Sequence, residues 1–269
     1  MKKVMAIGEL LIDFVPQQKG CALDEVTHFE RVAGGAPANV AAAVARLGGT
    51  AGMISQVGED AFGTHILKVL QSNGVDTGNV FRTGKANTGL AFVSLDASGN
   101  REFSFFRNPS ADLFLCEEQI TPAMFADCAA LHFCSVDLVD WPVKAAHRRA
   151  IGLAQEAGAL ISFDVNYRAN LWSEEKAKAS IEAVLPYIDI LFISEESCRR
   201  MFGRTGNLED ILKDFAKTYS LKVIATTKRK INSPSSHDFT SLLYDTETDT
   251  FFSEEPYCNI DVVDRIGSG

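Results

Sequence analysis

Apolar runs of strand length alternate with longer amphipathic segments along this chain, which predicts an α/β fold with a mostly parallel central sheet and helices on both faces. The predicted strands are 4–7, 52–54, 130–133, 160–163, 188–193 and 222–226. The predicted helices are 38–47, 61–73, 142–157, 174–185 and 208–218. Short, continuous apolar runs are typical of parallel strands that are buried on both faces. Because ligands bind at the carboxyl ends of such strands, the residues that follow each strand are the functional candidates.

One region departs from this alternation. Residues 88–95 and 101–106 are two β-type runs joined by the turn-rich residues 96–100, which predicts a hairpin. We expect residues 11–15 and 29–32 to pair with it in a small sheet that forms a lid, since lids exclude water from phosphoryl-transfer sites. The alternative is a decorated edge of the main sheet. Residues 228–238 are polar and predict a surface loop.

Composition limits the class of protein. The chain has 269 residues and a formal net charge of −9, which argues against a nucleic-acid-binding protein, because such proteins need a basic surface. Six cysteines show no Cys-x-x-Cys pair, as expected for free thiols in a reducing compartment. No apolar run reaches the ~18 residues of a membrane span, and the N-terminal apolar run is too short for a signal peptide. We therefore expect a cytoplasmic protein with neither a nucleic-acid nor a membrane partner.

Two segments near the N-terminus have the chemistry of a sugar site. Gly34 and Gly35 allow the backbone to approach a ligand closely, and Asn39 at the start of the next helix can donate and accept hydrogen bonds. Asp13 follows the first predicted strand, where a carboxylate can accept hydrogen bonds from two sugar hydroxyls. The alternatives are a tight turn before a small-residue helix and a solvated loop aspartate.

A third segment follows the strand that is predicted to end at Phe163. It carries Asp164, Asn166 and Arg168, and the arginine offers a planar fork for a carboxylate or a phosphate. The alternative is a structural ion pair between Asp164 and Arg168.

The chain ends in a glycine-rich turn formed by Gly267, Ser268 and Gly269, after a β-type run. The backbone N–H groups of such a turn can hold an anion and stabilise the charge that develops on a transferring phosphoryl group. A general base is expected next to such a turn.

In their order along the chain, these segments resemble the ribokinase-like (PfkB) family of carbohydrate kinases, and bacterial fructokinases most of all. The matching segments are 8–14, 34–49, 57–63, 105–112 and 264–269. The first looks like the family's first strand with its sugar-binding aspartate, and the second like the first family signature. The fourth is similar to the lid segment of fructokinases, and the last to the opening of the second signature.

The resemblance implies a three-layer α/β/α ribokinase-like fold over residues 1–269, with a lid formed by about 11–32 and 88–108. It implies ATP, Mg²⁺, a sugar substrate and a homodimer that pairs through the lid. The implied substrate-binding residues are Asp13, Gly34, Gly35, Asn39, Arg107, Asn166 and Arg168. The implied catalytic residues are Arg168 and the anion hole of Gly267, Ser268 and Gly269. Ser194 and Thr226 are implied on the nucleotide side, and Glu196 as a metal ligand.

The chain departs from the family pattern in three places. The motif N-x-x-E falls on residues 194–197, where Ser197 replaces the final glutamate. The motif T-x-G-x-x-G falls on residues 226–231, which contain no glycine and look more like some 2-keto-3-deoxygluconate kinases. The catalytic aspartate of the second signature would directly follow Gly269, so we expect the general base and the C-terminal part of the fold to be missing.

These observations favour an ATP-dependent sugar kinase that is most similar to fructokinases. The alternative within the class is a 2-keto-3-deoxygluconate kinase. The alternative from another class is a truncated, non-catalytic sugar-binding pseudokinase.

Overall fold

The computed structural model describes residues 2–18, 20–95, 101–233 and 236–262. Its strands are β1 (Lys3–Ile7), β2 (Leu11–Pro16), β3 (Phe29–Gly34), β4 (Ala51–Gly58), β5 (Val75–Thr83), β6 (Gly89–Leu95), β7 (Arg101–Phe106), β8 (Cys128–Cys134), β9 (Leu160–Asp164), β10 (Ile190–Phe192), β11 (Val223–Ser233), β12 (Ser236–Asp245), β13 (Thr250–Ser253) and β14 (Tyr257–Asp261). Its α-helices are α1 (Ala36–Arg46), α2 (Ala61–Ser72), α3 (Pro142–Glu156), α4 (Glu174–Glu182), α5 (Glu195–Arg200) and α6 (Leu208–Tyr219).

Within the described ranges, ten strands form one large sheet. The order β11-β10-β9-β8-β1-β4-β5 is parallel throughout, and β12, β13 and β14 extend it in antiparallel pairing beyond β11. The α/β class predicted from the alternation is therefore confirmed. The carboxyl ends of the parallel strands meet at one edge, where β9 ends at Asp164 and Ser194 lies two residues after the end of β10.

Helix ends are fixed by the residues that precede them. The Asp60 carboxylate accepts a hydrogen bond of 2.8 Å from the Gly63 N–H at the start of α2, and Asn207 bonds the Asp210 N–H at 2.9 Å in α6. Such caps satisfy N–H groups that have no partner inside the helix. The core lies between the large sheet and α3, α4 and α6, and includes the fully buried Phe133, Phe163 and Phe215.

A second sheet, called the small sheet below, has the strand order β3-β2-β6-β7. Its β2–β3 and β6–β7 pairs are antiparallel, whereas β2 and β6 run parallel. One face carries an aromatic cluster in which Phe14 stacks on Phe92 at 4.6 Å, and Phe62 of α2 meets Phe14 at 5.9 Å. The hairpin predicted from 88–95 and 101–106 and its pairing with 11–15 are confirmed, and the cluster attaches the small sheet to α2.

Some predictions of local structure were wrong. Residues 228–233 and 236–238 belong to the antiparallel strands β11 and β12 rather than to a loop, with Lys228 paired to Thr240 and Lys230 to Asp238. The exposed residues 227–230 are all polar, so this part of the segment lacks the apolar pattern of a strand, and its regularity comes from backbone pairing. Strand β5 and the short helix α5 were not predicted. Among the described residues, no helix is long and apolar enough to cross a membrane.

Candidate active site

The small sheet carries Asp13 on the opposite face from its aromatic cluster. Asp13 pairs across strands with Val32 and with Ala91, and Ala91 pairs with Phe105. Directly paired residues lie on the same face of a sheet, so these four residues share one surface. The Asp13 carboxylate lies against Gly34, because its Oδ2 occupies the space that a side chain at position 34 would need.

The turn into α1 is held tightly against the end of β1. Gly35 directly precedes α1 with a φ of 115°, which residues with a side chain rarely adopt. A Cβ at Gly35 would also overlap the carbonyl oxygen of Glu9. Gly34 and Gly35 are buried, whereas Asn39, in the first turn of α1, is exposed. The structure therefore places Asp13 next to the glycine pair, with Asn39 one helical turn away.

Arg168 lies within electrostatic range of both Asp13 and Asp164. Burial raises the pKa of each of these carboxyls to about 6, and the positive charge of Arg168 opposes that rise in both cases. Arg168 forms no ion pair with a carboxylate among the described residues. The structure thus brings the third predicted segment to the Asp13 side of the sheet edge and leaves the guanidinium fork open.

Asn166 takes up an unusual conformation between Asp164 and Arg168. Its φ is +31°, which is uncommon outside glycine but tolerated by asparagine. Its N–H donates a hydrogen bond of 3.0 Å to Asp164 Oδ1. This bond fixes the turn that carries Arg168.

Arg107 directly follows β7 of the small sheet and is buried in a cluster of carboxylates. Its Nε donates to Asp112 Oδ2 at 2.9 Å, and its Nη2 contacts both Asp112 and Asp137. Its Nη1 donates to the carbonyl of Val136 at 3.4 Å. Burial alone would lower the pKa of Arg107, but the surrounding carboxylates raise it above its ordinary value. Only 6% of the residue is exposed.

Glu9 joins this ion cluster to the glycine turn. Its Oε1 accepts a hydrogen bond of 2.8 Å from the Ala36 N–H at the start of α1, and its own N–H donates to Asp137 Oδ2 at 2.9 Å. Burial and the nearby Asp137 carboxylate raise the pKa of Glu9 well above its usual range. Burial would also raise the pKa of Asp137, but the charge of Arg107 and a hydrogen bond from Glu9 lower it. The pKa values of Glu9 and Asp137, two buried acids in contact, are therefore shifted in opposite directions.

A cavity of about 440 Å³ opens beside Arg107. Phe105, Val136, Trp141, Trp172 and Lys176 line it together with the arginine. Aromatic walls with a few polar groups are typical of small-molecule sites. The cavity therefore continues the surface that begins at Asp13 and Phe105 on the small sheet.

The predicted nucleotide-side residues lie further along the same edge. Ile193 donates its N–H to the carbonyl of Ala225 at 3.0 Å, so the residues that follow them, Ser194 and Thr226, come from neighbouring strand ends. Ser194 caps α5 by accepting a bond of 3.1 Å from the Ser197 N–H. Thr226 is 4% exposed, and its Oγ1 is buried without a hydrogen-bond partner. A buried hydroxyl without a partner fits a site that is completed by a bound ligand such as ATP.

The predicted metal ligand is on the surface. The Glu196 side chain is 79% exposed and lies 3.6 Å from Arg200. No group of three or more His, Cys, Asp or Glu side chains able to hold a metal occurs in the described ranges. A single carboxylate is still compatible with Mg²⁺, which is usually held by one or two carboxylates and by substrate phosphates. The predicted anion hole of Gly267, Ser268 and Gly269 lies outside the described residues.

Sequence reasoning missed the carboxylates around Arg107. Asp137 is 128 residues from Glu9 along the chain, so no local pattern connects them. Asp112 and Glu9 both lie within segments that carried the family resemblance, and this was the available signal. Buried polar groups are usually paired, so a buried Arg107 would itself be expected to have carboxylate partners.

A large parallel sheet with polar side chains at its carboxyl edge, under a small β sheet, defines an α/β ligand-binding domain of the kind found in small-molecule enzymes. The chain belongs to the pfkB family of carbohydrate kinases, whose family model matches residues 1–228.

Comparison with known proteins gives closer relatives. The chain is 43% identical to fructokinase-1 of Oryza sativa over 210 residues, which cover 78% of this chain and 65% of the rice protein. It therefore spans less than two thirds of that relative.

Solved structures agree on the fold. A 2-dehydro-3-deoxygluconokinase from Thermotoga maritima superposes with a TM-score of 0.91 at 24% identity, covering 100% of this chain and 84% of that one. A fructokinase from Xylella fastidiosa with bound ATP superposes with a TM-score of 0.75 at 29% identity, covering 93% of this chain and 73% of that one. The ribokinase-like fold is therefore confirmed.

Proposed function

We propose that this protein transfers the γ-phosphoryl group of ATP to a hydroxyl group of fructose. The observation that carries the proposal is the Asp13 carboxylate, which Gly34 accommodates and which lies within electrostatic range of Arg168. A carboxylate accepts hydrogen bonds from two hydroxyls, which is the recognition a polyol requires. The identity to a plant fructokinase supports fructose as the acceptor.

The residues of the site have distinct roles in this proposal. Asp13 binds the sugar hydroxyls, the backbone of Gly34 and Gly35 gives the sugar a close approach, and exposed Asn39 adds a donor and an acceptor. Asn166 holds the turn that presents Arg168, and Arg168 orients the phosphoryl acceptor by hydrogen bonding. Positioning of this kind supplies much of the catalysis in phosphoryl transfer.

The nucleotide lies at the other end of the same edge. When bound, ATP supplies the phosphoryl group, and Mg²⁺ screens its charge. Thr226 donates its unpaired hydroxyl to the nucleotide, and Ser194 fixes the adjacent start of α5. Glu196 is the carboxylate in the described ranges that we assign to the metal, because it lies two residues after Ser194 and is exposed.

The small sheet acts as a lid in this proposal and also as the contact with a second copy. Phe106, on its outer strand, is 61% exposed, and Val32, on the opposite edge strand, is 40% exposed. Sedimentation equilibrium tests this: the wild-type protein is expected to be a dimer and a Phe106→Ser variant a monomer. A monomeric wild-type protein contradicts the proposed dimer.

Paired kinase assays test the function. The protein is incubated with ATP and either D-fructose or 2-keto-3-deoxygluconate, and ADP release is measured. The proposal expects turnover with fructose. Turnover with the sugar acid alone supports the 2-keto-3-deoxygluconate kinase alternative. Fructose binding without any turnover supports a non-catalytic sugar-binding protein. A protein that fails both to bind fructose and to turn it over has no sugar site, and this result contradicts the proposal.

A further inference from the structure

The guanidinium of Arg107 has no free hydrogen-bonding edge. One edge of the fork, formed by Nε and Nη2, is occupied by Asp112, and the other, formed by Nη1 and Nη2, by the Val136 carbonyl and Asp137. An arginine recognises a carboxylate by presenting two parallel N–H groups along one edge. Arg107 lines the cavity beside the sugar site, yet it has no such pair to offer a ligand.

The other guanidinium of the site, Arg168, makes no ion pair among the described residues but already has two carboxylates within electrostatic range. Arg168 acts electrostatically on both Asp13 and Asp164. A carboxylate on the substrate would add a third negative charge to that group. Like-charge contact in a partly desolvated site costs affinity and is a common means of rejecting the wrong ligand. Lys176, which also lines the cavity, is exposed and lies within electrostatic range of Asp140.

We infer that Asp112 and Asp137 determine the substrate class of this site, because they occupy Arg107 and so select uncharged sugars over sugar acids. This inference rests on the proposed function as a sugar kinase. Asp112 is a stronger determinant than Asp137, because Asp112 alone accepts both hydrogen bonds of the Nε–Nη2 edge, whereas the other edge also bonds a backbone carbonyl. Asp137 also holds the Glu9 N–H, so its removal would disturb the glycine turn.

Asp112 is also a suitable residue for a test substitution. Asp112 is 2% exposed and its remaining oxygen contacts the hydroxyl of Ser110, so its partners are Arg107 and one neighbouring side chain. Asparagine has the same shape and keeps one oxygen as an acceptor. Asp112→Asn therefore removes the negative charge and weakens the hold on the Nε–Nη2 edge, with little change in volume.

A matched pair of ligands isolates the charge. The C1 carboxylate of 2-keto-3-deoxygluconate is a hydroxymethyl group in 3-deoxyfructose, and the two molecules are otherwise the same. Calorimetry gives the dissociation constant of each with the wild-type protein and with Asp112→Asn. Asp127→Asn is the control, because Asp127 is exposed and lies just before β8, at the opposite edge of the sheet.

The inference expects the wild-type protein to bind 3-deoxyfructose more tightly than the sugar acid. It expects Asp112→Asn to reduce that preference by about tenfold, since one opposing charge is lost. Asp127→Asn is expected to leave the preference unchanged. Loss of stability alone would weaken both ligands together and leave their ratio unaltered.

Two results overturn the inference while leaving the proposed function intact. One is a wild-type protein that binds fructose and binds both members of the pair equally well, a measurement that needs no variant. The other is a folded Asp112→Asn protein that keeps the full preference. If the folded wild-type protein binds no sugar at all, the proposed function fails, and this inference fails with it.

Discussion

The carboxylate of Asp13 occupies the space beside Gly34 in which any other residue at position 34 would place its side chain. The two residues lie on neighbouring strands, where Asp13 of β2 pairs with Val32 and Gly34 of β3 pairs with Leu11, so the carboxylate and the glycine turn are built together. The glycine is therefore required by the position of the carboxylate, in addition to any close approach of a ligand.

Substitution of Gly34 by alanine is expected to displace the Asp13 side chain. A displaced carboxylate no longer meets the sugar hydroxyls, and sugar affinity is expected to fall by about ten- to 100-fold. Isothermal titration calorimetry with D-fructose measures the change. Gly152→Ala in α3 is the control, because a Cβ there meets no other atom within 4 Å. This control is expected to bind fructose normally and to be more stable by about 0.5–1 kcal/mol. Normal binding by Gly34→Ala would contradict the placement of the site.

The ionised form of Asp13 is expected to destabilise the free protein. Burial raises its folded-state pKa from 3.8 to about 6. Because folded Asp13 holds its proton more tightly than unfolded Asp13, the free energy of unfolding falls as the pH rises from about 4 to about 6. Asp13→Asn is therefore expected to be more stable than wild type at pH 8, by on the order of 2 kcal/mol, and equally stable below pH 4. Urea unfolding at both pH values checks this. A variant less stable than wild type at pH 8 would be inconsistent with the raised pKa.

The same titration is expected to control sugar binding. If the carboxylate form accepts the sugar hydroxyls, fructose affinity falls as the pH drops through about 6. Well below that pH, the dissociation constant is expected to rise about tenfold per pH unit, as for a single protonation. Calorimetry between pH 4.5 and 8 measures the profile. A flat profile would show that Asp13 does not bind the sugar in its ionised form.

The Thr226 hydroxyl is expected to lower the stability of the free protein and to strengthen nucleotide binding. Its buried Oγ1 has no partner, so Thr226→Val is expected to stabilise the free protein by about 1 kcal/mol and to weaken ATP binding about tenfold. Thermal unfolding with and without ATP reports both effects. Thr246→Val provides the contrast, because its Oγ1 donates to the carbonyls of Leu221 at 2.9 Å and Lys222 at 3.0 Å, and its loss should destabilise. If both variants are less stable than wild type, the Thr226 hydroxyl is not an unpaired group in the free protein.

The sequence predicted the elements whose signal is local. Helices such as α2 begin after a capping residue and keep an amphipathic pattern, and β1 and β9 are apolar runs, so their type was correctly predicted. The β11–β12 pairing was not predicted because residues 227–230 are all polar, and its stability depends on backbone pairing with a partner strand.

The site was predictable only where a single segment carries its chemistry. Asp13, the glycine pair and Arg168 each belong to a short, recognisable stretch, and the structure does bring Asp13 and Arg168 together. The pairing of Arg107 with Asp137 depends on the approach of distant segments. The sequence therefore predicted that Arg107 binds the substrate, whereas its pairing with Asp112 and Asp137 became visible only in the fold.

The central claim is that Asp13 lies at the centre of a sugar site. Calorimetric titration with D-fructose at pH 8, on the wild-type protein and on Asp13→Asn, tests it most directly. The account predicts saturable binding by the wild-type protein and no detectable binding by a variant that remains folded and is at least as stable. Equal binding by the two proteins would contradict it.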